Sequence, residues 1–297
     1  MKAAVLHEGG RIVVEERPEP EGSVVDVRAA GVNFADVLIR RGLYPQMPEL
    51  PYVLGSEVAG DLDGRRVVAF TRGAGGFAER VAVDPDWTFD LPERAGYAAG
   101  AAFLTTYLTA HIPYAQRVST ESVLVHAGSG GVGTAAIQLG RSAGARVTAT
   151  VRNPAHRDAV AQLGAEVIAP EGFEEHGPFD VILELVGAPN LPGNLQALNL
   201  WGRIMIIGIG AGAQAELNLG LAMQKRARIC NSTLRPRPLE EKAMTARAME
   251  RSVLPLLASG AVGVPIAATY PLEEAPAAYD RFAEGGKFGK IVLETGG

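Results

Sequence analysis

In the first ninety residues apolar side chains recur near every second position, at 1–7, 11–16 and 23–29, with glycine or proline between the runs. That period predicts short strands. Strand-like segments return at 55–61, 65–70 and 77–83. One helical stretch, 33–41, interrupts them and is stopped by Gly42. Strands grouped around a single small helix predict a compact, barrel-like β unit.

Past Pro92 the pattern changes scale. Residues 95–110, rich in alanine and leucine, predict a helix. Strands are then predicted at 122–127, 146–151, 166–169, 180–186, 203–209 and 227–233, with helices at 131–143 and 154–163 between the first of them. Several of these strands are nearly continuous apolar runs, as expected of parallel strands covered on both faces. About six of them with helical crossovers predict an α/β fold with a doubly wound parallel Rossmann sheet. A helix over 239–258 follows, then a tail of short strands around helical residues 276–283. The tail is too short to stand alone and is placed back on the first unit. The expected domains are therefore 1–97, completed by 239–297, and 98–238.

Composition narrows the chemistry. The chain has 36 glycines in 297 residues, above the usual ~7%, and without the every-third-residue period of collagen. A net charge of -5 argues against broad binding to nucleic acid. The single cysteine, Cys230, excludes an internal disulfide framework and a cysteine-only metal cage. No signal-peptide-like start and no long apolar run are visible, which predicts a soluble, cytoplasmic protein with no membrane partner.

The most specific local signal is Val123-Leu-Val-His-Ala-Gly128-Ser-Gly130-Gly131-Val132-Gly133, where a β-branched run enters a Gly-x-Gly-x-x-Gly turn and an amphipathic helix follows. In such a turn the glycines permit a tight bend, close approach of a pyrophosphate and close helix–strand packing. The anion then rests on the free N–H groups at the positive end of the helix. An NAD site presents an acid about 20 residues past the first glycine. Between Glu121 and Asp158 there is no acid, and the second strand of the unit ends in Arg152, followed by Asn153, His156 and Arg157. A 2′-phosphate is held by such a cluster and a bare 2′-hydroxyl is not, so NADPH is the expected cofactor.

Metal and nucleophile chemistry find little support. The five histidines show no zinc-ligand spacing, and no Gly-x-Ser-x-Gly elbow is present. His126 lies inside the strand before the turn and is expected to be a satisfied core residue. Cys230 is expected to be a buried free thiol.

Three separated motifs, Gly31-Val-Asn33-Phe-Ala-Asp36 through Gly42-Leu-Tyr44-Pro45, Leu54-Gly-Ser56-Glu57-Val-Ala-Gly60, and the glycine turn, together resemble the medium-chain dehydrogenase/reductase superfamily. More narrowly they resemble its zinc-free quinone oxidoreductase, or zeta-crystallin-like, branch. The likeness covers essentially the whole chain, to the ending Gly289-Lys-Ile-Val-Leu293. It implies a GroES-like, mostly-β barrel domain beside the Rossmann domain. Zinc alcohol dehydrogenases of the same superfamily carry Cys where this chain has Asn33 and His where it has Ser56, and neither Asn nor Ser is a good zinc ligand.

The resemblance implies roles for individual residues. Asn33 and Tyr44 would line the cleft beside the nicotinamide, and Asp36 would shape the pocket or orient Asn33. Thr105 would contact the nicotinamide end, and Gly130, Gly131 and Val132, set between Gly128 and Gly133, would cradle the pyrophosphate. Arg152 would meet the 2′-phosphate, Gly208 would border the nicotinamide, and Lys287 would reach the cofactor. A tyrosine that some relatives place two residues after Asp36 is here Leu38. The implied activity is zinc-independent, NADPH-dependent reduction of quinones or similar conjugated carbonyls. Two alternatives remain open at this point: a double-bond reductase of 2-alkenals or enoyl thioesters, and a weakly active NADPH-binding protein that binds nucleic acid. The strand at 226–234 would end the sheet and, as in similar proteins, join two copies into a homodimer.

Overall fold

The computed structural model describes residues 1–44, 46–71, 73–114, 120–234 and 237–296. In chain order its first stretch comprises β1 (Lys2–Leu6), β2 (Ile12–Glu16), β3 (Val24–Val32), α1 (Phe34–Arg40), β4 (Tyr52–Val53), β5 (Glu57–Leu62), β6 (Arg65–Phe70), β7 (Arg80–Ala82), β8 (Thr88–Asp90), α2 (Tyr97–Ala101) and α3 (Leu104–Tyr114). The middle stretch comprises β9 (Ser122–Val125), α4 (Gly131–Ser142), β10 (Arg146–Thr150), α5 (Arg157–Gln162), β11 (Glu166–Ile168), β12 (Phe179–Glu184), α6 (Leu191–Ala197), β13 (Leu198–Ile206), α7 (Leu219–Lys225) and β14 (Arg228–Asn231). The last comprises α8 (Leu239–Ser252), α9 (Leu254–Ser259), β15 (Ile266–Pro271), α10 (Ala275–Ala283) and β16 (Lys290–Glu294). The chain divides into two units, Met1–Thr106 with Ala243–Gly297, and Tyr107–Lys242.

In the first unit, a sheet in the order β15-β16-β3-β5-β6-β8, with β7 also on β3, accompanies a small sheet β2-β1-β4. Pairing in the larger sheet is antiparallel except between β15 and β16. Val27, Val32, Val58, Val67 and Leu293 from its strands pack with Val37 and Ile39 of α1 and Tyr279 of α10 in one core. The strand β16 thus returns the C-terminal tail to the middle of the sheet, against β3 at Ile291–Val32 and Leu293–Ala30.

The second unit holds a sheet in the order β11-β10-β9-β12-β13-β14 with every pair parallel. This is the doubly wound dinucleotide-binding order, with its switch point between β9 and β12. Val123, Leu124 and Val125 of β9 and Val181, Ile182 and Leu183 of β12 are buried, which is why these segments read as unbroken apolar runs.

Three expectations differ in detail. The helix expected over 95–110 is two helices, α2 and α3. Gly96 and Gly100 weaken the first, and the Thr105 N–H, which a continuing helix would use internally, donates to the Glu57 carboxylate at 2.8 Å. The helix expected over 239–258 breaks at Val253, because Pro255 has no N–H and its ring clashes with the preceding turn. Cys230 is free but half-buried rather than buried, since β14 is paired only with β13 among the described residues.

Candidate functional site

In the first unit the chain leaves β3 at Asn33 and turns directly into α1. Asn33 is the N-cap, with extended φ/ψ, and its backbone N–H donates to Asp36 Oδ2 at 2.9 Å. That is the acidic half of a capping box. Asp36 is fully buried, and burial raises its pKa to about 6 although the Asn33 N–H and Lys290 pull it down. The side-chain amide of Asn33 also reaches the sheet, where Nδ2 donates to Glu57 Oε1 at 2.8 Å and Oδ1 accepts from Lys290 Nζ at 2.5 Å.

Glu57 opens β5 and Lys290 opens β16, so two strands carry opposite charges to the same point. Lys290 Nζ lies 3.0 Å from Glu57 Oε1, with the two side chains 4% and 0% exposed. Glu57 Oε2 takes the Thr105 N–H at the start of α3. Ser56 stands beside the cluster, half-buried, its Oγ accepting a long 3.4 Å contact from Asn33 Nδ2. Gly31 lets the strand approach so closely: a Cβ there would lie 2.6 Å from Glu57 Oε1 and clash with the Ala101 carbonyl oxygen.

The structure therefore brings Asn33, Asp36 and Thr105 together through Glu57 and Lys290. Tyr44 is half-buried against the same unit's core, and Pro45 of its motif lies outside the described residues. Lys287 is turned to its own loop, donating to the Gly289 carbonyl at 3.0 Å and lying 4.4 Å from the Phe282 ring centroid. Burial, then the charges of Lys290 and Arg281, lower its pKa to about 8.

In the second unit the glycine turn follows β9 at the switch point. Gly128 does not need a left-handed backbone; that conformation falls on Ala127, at φ 51°. Gly128 is small because a Cβ would lie 2.8 Å from the Ala149 Cβ on β10. Gly133 packs helix on strand: its Cβ would lie 2.8 Å from Gly128 Cα. Gly130 is the N-cap of α4 and supplies no side-chain cap, so the first N–H groups at Gly131 and Val132 stay open to an anion. Arg152, just beyond β10, is exposed and forms no ion pair among the described residues. Gly208 follows β13, where a Cβ would clash with the Leu185 carbonyl oxygen.

Beneath the turn lies a buried polar chain. The Ala127 N–H and His126 Nδ1 share Thr150 Oγ1 at 3.2 Å each, and His126 Nε2 meets Asn194 Oδ1 at 2.7 Å. Asn194 Nδ2 donates to Glu184 Oε2 at 2.6 Å, and Glu184 Oε1 holds the backbone N–H groups of Val186 and Gly187 at 2.6 and 2.8 Å. His126 is the satisfied core residue expected, and burial lowers its pKa, opposed by Glu184. These glycines and this brace fit a dinucleotide: the helix end is uncapped, the cradle excludes side chains, and the ends of β9 and β12 are fixed.

Comparison with known proteins agrees. Residues 19–93 match the alcohol dehydrogenase GroES-like domain and residues 131–250 the zinc-binding dehydrogenase family. A quinone oxidoreductase of Mus musculus is 32% identical over 95% of this chain and 91% of its own length. The chain belongs to the medium-chain dehydrogenase/reductase superfamily, in its quinone oxidoreductase branch.

Among solved structures of that branch, the quinone oxidoreductase from Thermus thermophilus, also described in complex with NADPH, superposes with a TM-score of 0.90 at 33% identity, covering 99% of this chain and all of that one. The Escherichia coli quinone oxidoreductase complexed with NADPH gives 0.88 at 25% identity, over 99% of this chain and 100% of the other. The superfamily's zinc members raise the question of a metal here. At the two positions where they carry Cys and His this chain has a carboxamide and a hydroxyl, and the remaining carboxylate already faces an ammonium 3.0 Å away. A dication would meet that like charge, and the donor set is too hard and too few for zinc. Among the described residues no group of three His, Cys, Asp or Glu side chains could hold a metal ion. The residues do not fit zinc. No helix among the described residues is long and apolar enough to cross a membrane.

Two residues central to this site, Glu57 and Lys290, were not singled out by sequence reasoning. Both sit inside motifs that carry the family likeness, each a lone charge at the head of a strand whose next three residues are buried. A charge in that position was the signal available.

Proposed function

We propose that this chain reduces quinones or similar conjugated carbonyls with NADPH as the hydride donor, without a metal. The carrying observation is the Asn33–Glu57–Lys290 cluster, whose own charges fill the place where a Lewis acid would be needed to activate an alcohol. A substrate that is already electrophilic needs no such activation.

When bound, the reduced nicotinamide supplies a hydride. The chain's own residues bind and orient. Gly131 and Val132 at the head of α4 would receive the pyrophosphate, and Arg152 the 2′-phosphate, the sequence between Glu121 and Asp158 offering no acid to prefer a 2′-hydroxyl. Ser56 Oγ would donate its proton in a hydrogen bond to the substrate oxygen on which negative charge develops. The proton that completes a hydroquinone comes from solvent. Positioning and charge stabilisation, rather than a histidine acid, account for the rate.

Stopped-flow loss of NADPH absorbance on mixing with 1,4-benzoquinone or 9,10-phenanthrenequinone tests this reading. Turnover yielding hydroquinone supports it; no turnover with any quinone or enone overturns it. A product saturated at the carbon–carbon double bond and retaining its carbonyl would assign the chain to double-bond reduction instead.

A further inference from the structure

Asn33, Glu57 and Lys290 come from three elements distant in sequence and meet with almost no exposure, 8% for Asn33 and less for the other two. A carboxamide has two ends of opposite character, and here each end meets its complement. Oδ1 faces the Lys290 ammonium at 2.5 Å, and Nδ2 faces the Glu57 carboxylate at 2.8 Å. Turned over, the amide would set NH2 against an ammonium and oxygen against a carboxylate. The two charges therefore decide the amide's orientation, which hydrogen-bond geometry alone often leaves open.

The consequence passes to Ser56. With Nδ2 on its side, the second amide hydrogen of Asn33 is shared between the Gly31 carbonyl at 3.3 Å and Ser56 Oγ at 3.4 Å. A hydroxyl that faces a donor accepts there and sends its own proton elsewhere. Ser56 is half-buried, and among the described residues no acceptor for that proton is found. We propose that Lys290 is a positioning residue: by fixing which end of the Asn33 amide faces Ser56, it keeps the Ser56 O–H free to donate to a carbonyl substrate. Lys290 touches no substrate in this scheme. With the charges of Lys290 and Glu57 both removed, only the long 3.3 Å bond to the Gly31 carbonyl still favours this orientation; the amide can then reverse, so that Oδ1 faces Ser56 and the hydroxyl proton is captured inside the protein. This inference rests on the carbonyl-reducing reading above.

K290M alone strips the buried Glu57 of its counter-charge and threatens the fold. The informative variant is K290M/E57Q, which removes both charges together and preserves their shapes. It is expected to unfold within a few degrees of the wild type and to bind NADPH within about twofold, while kcat/KM for 1,4-benzoquinone falls about 10-fold, to the level of S56A. In addition, S56A is expected to cost about 10-fold in the wild type and less than about twofold in the K290M/E57Q background, because the same donor is already lost. Wild-type kcat/KM in K290M/E57Q, or an equal S56A effect in both backgrounds, overturns the proposal. Solvent exchange of the Asn33 side-chain amide hydrogens, followed by NMR, reads the orientation without turnover. Protection in the wild type that is lost in K290M/E57Q supports the proposal, and unchanged protection overturns it. Absence of all quinone turnover in the wild type instead overturns the functional reading, and the exchange measurement then decides the orientation by itself.

Discussion

Gly133 on α4 sits so close beneath Ala127 that a Cβ added to it would collide with the Ala127 carbonyl oxygen. The partner atom is backbone, at the turn that enters the helix, and it has no freedom to move aside. G133A is therefore expected to push α4 away from β9 at a cost of about 1–3 kcal/mol. The displaced helix end should weaken NADPH binding about 10-fold or more, since the N–H groups at Gly131 and Val132 no longer point where the anion rests. Urea unfolding and NADPH fluorescence titration check the two effects. A stable variant with unchanged NADPH affinity would remove the close-packing account of this glycine.

Arg152 is exposed, lies just past the end of β10 and is not engaged in an ion pair among the described residues. Its contribution should be to the 2′-phosphate alone. R152A is expected to lower NADPH affinity by about 10- to 100-fold, the worth of one or two charge-assisted hydrogen bonds, while leaving NADH affinity within about twofold. Calorimetry with both nucleotides on both proteins measures this. Equal binding of NADH and NADPH by the wild type would defeat the assignment of cofactor.

Much of this architecture was legible in the sequence, for reasons that differ by residue. Val123 to Val125 and Val181 to Leu183 announce parallel strands because both of their faces are covered, so no polar residue interrupts them. The turn from Gly128 to Gly133 is legible because only glycine fits against Ala149 and Ala127. The partnership of Glu57 with Lys290 was not legible. The two are 233 positions apart, and a buried ion pair leaves no periodic mark; only the pairing of β16 with β3, and of β3 with β5, brings them together. Helices α6 and α7 also went unread, α6 carrying a proline in its first turn and α7 only seven residues long. Lys287 lies in the tail as expected and donates one of its three hydrogens to the Gly289 carbonyl.

Asp36 makes the first unit's stability depend on pH. Burial raises its pKa to about 6, so the folded chain holds this proton more tightly than the unfolded chain does. The stabilisation from the neutral acid is thus full below about pH 4 and is lost as pH rises through about 6, by roughly 3 kcal/mol in all. D36N removes the titration while keeping an oxygen for the Asn33 N–H. The unfolding free energy of D36N relative to wild type should therefore rise by up to about 3 kcal/mol between pH 4 and pH 7.5. Groups common to both proteins that do not interact with Asp36, the buried His126 among them, cancel in that difference. A difference independent of pH would show that Asp36 is ionised throughout.

The edge of the second unit's sheet carries the last prediction. Strand β14 is paired with β13 on one side only among the described residues, and Ile229 on it is 38% exposed. Large apolar side chains of the same unit are also exposed, Trp201, Leu219 and Met223 at 60%, 68% and 78%. An unpaired edge beside apolar surface invites pairing with a second copy, and we expect a homodimer joined through β14. Antiparallel pairing of β14 with its own copy about a two-fold axis at mid-strand would set Ile229 near its counterpart, so I229K would bring two ammonium groups together. Light scattering after gel filtration should give the wild type about twice the 31.2 kDa chain mass. I229K should weaken the dimer by at least about 10-fold, or ~1.4 kcal/mol, and at micromolar concentration shift it toward the monomer. NADPH affinity should hold in the variant, since the glycine turn follows β9, three strands from this edge. A wild type that is monomeric at high concentration, or an I229K dimer of unchanged affinity, would place the interface elsewhere.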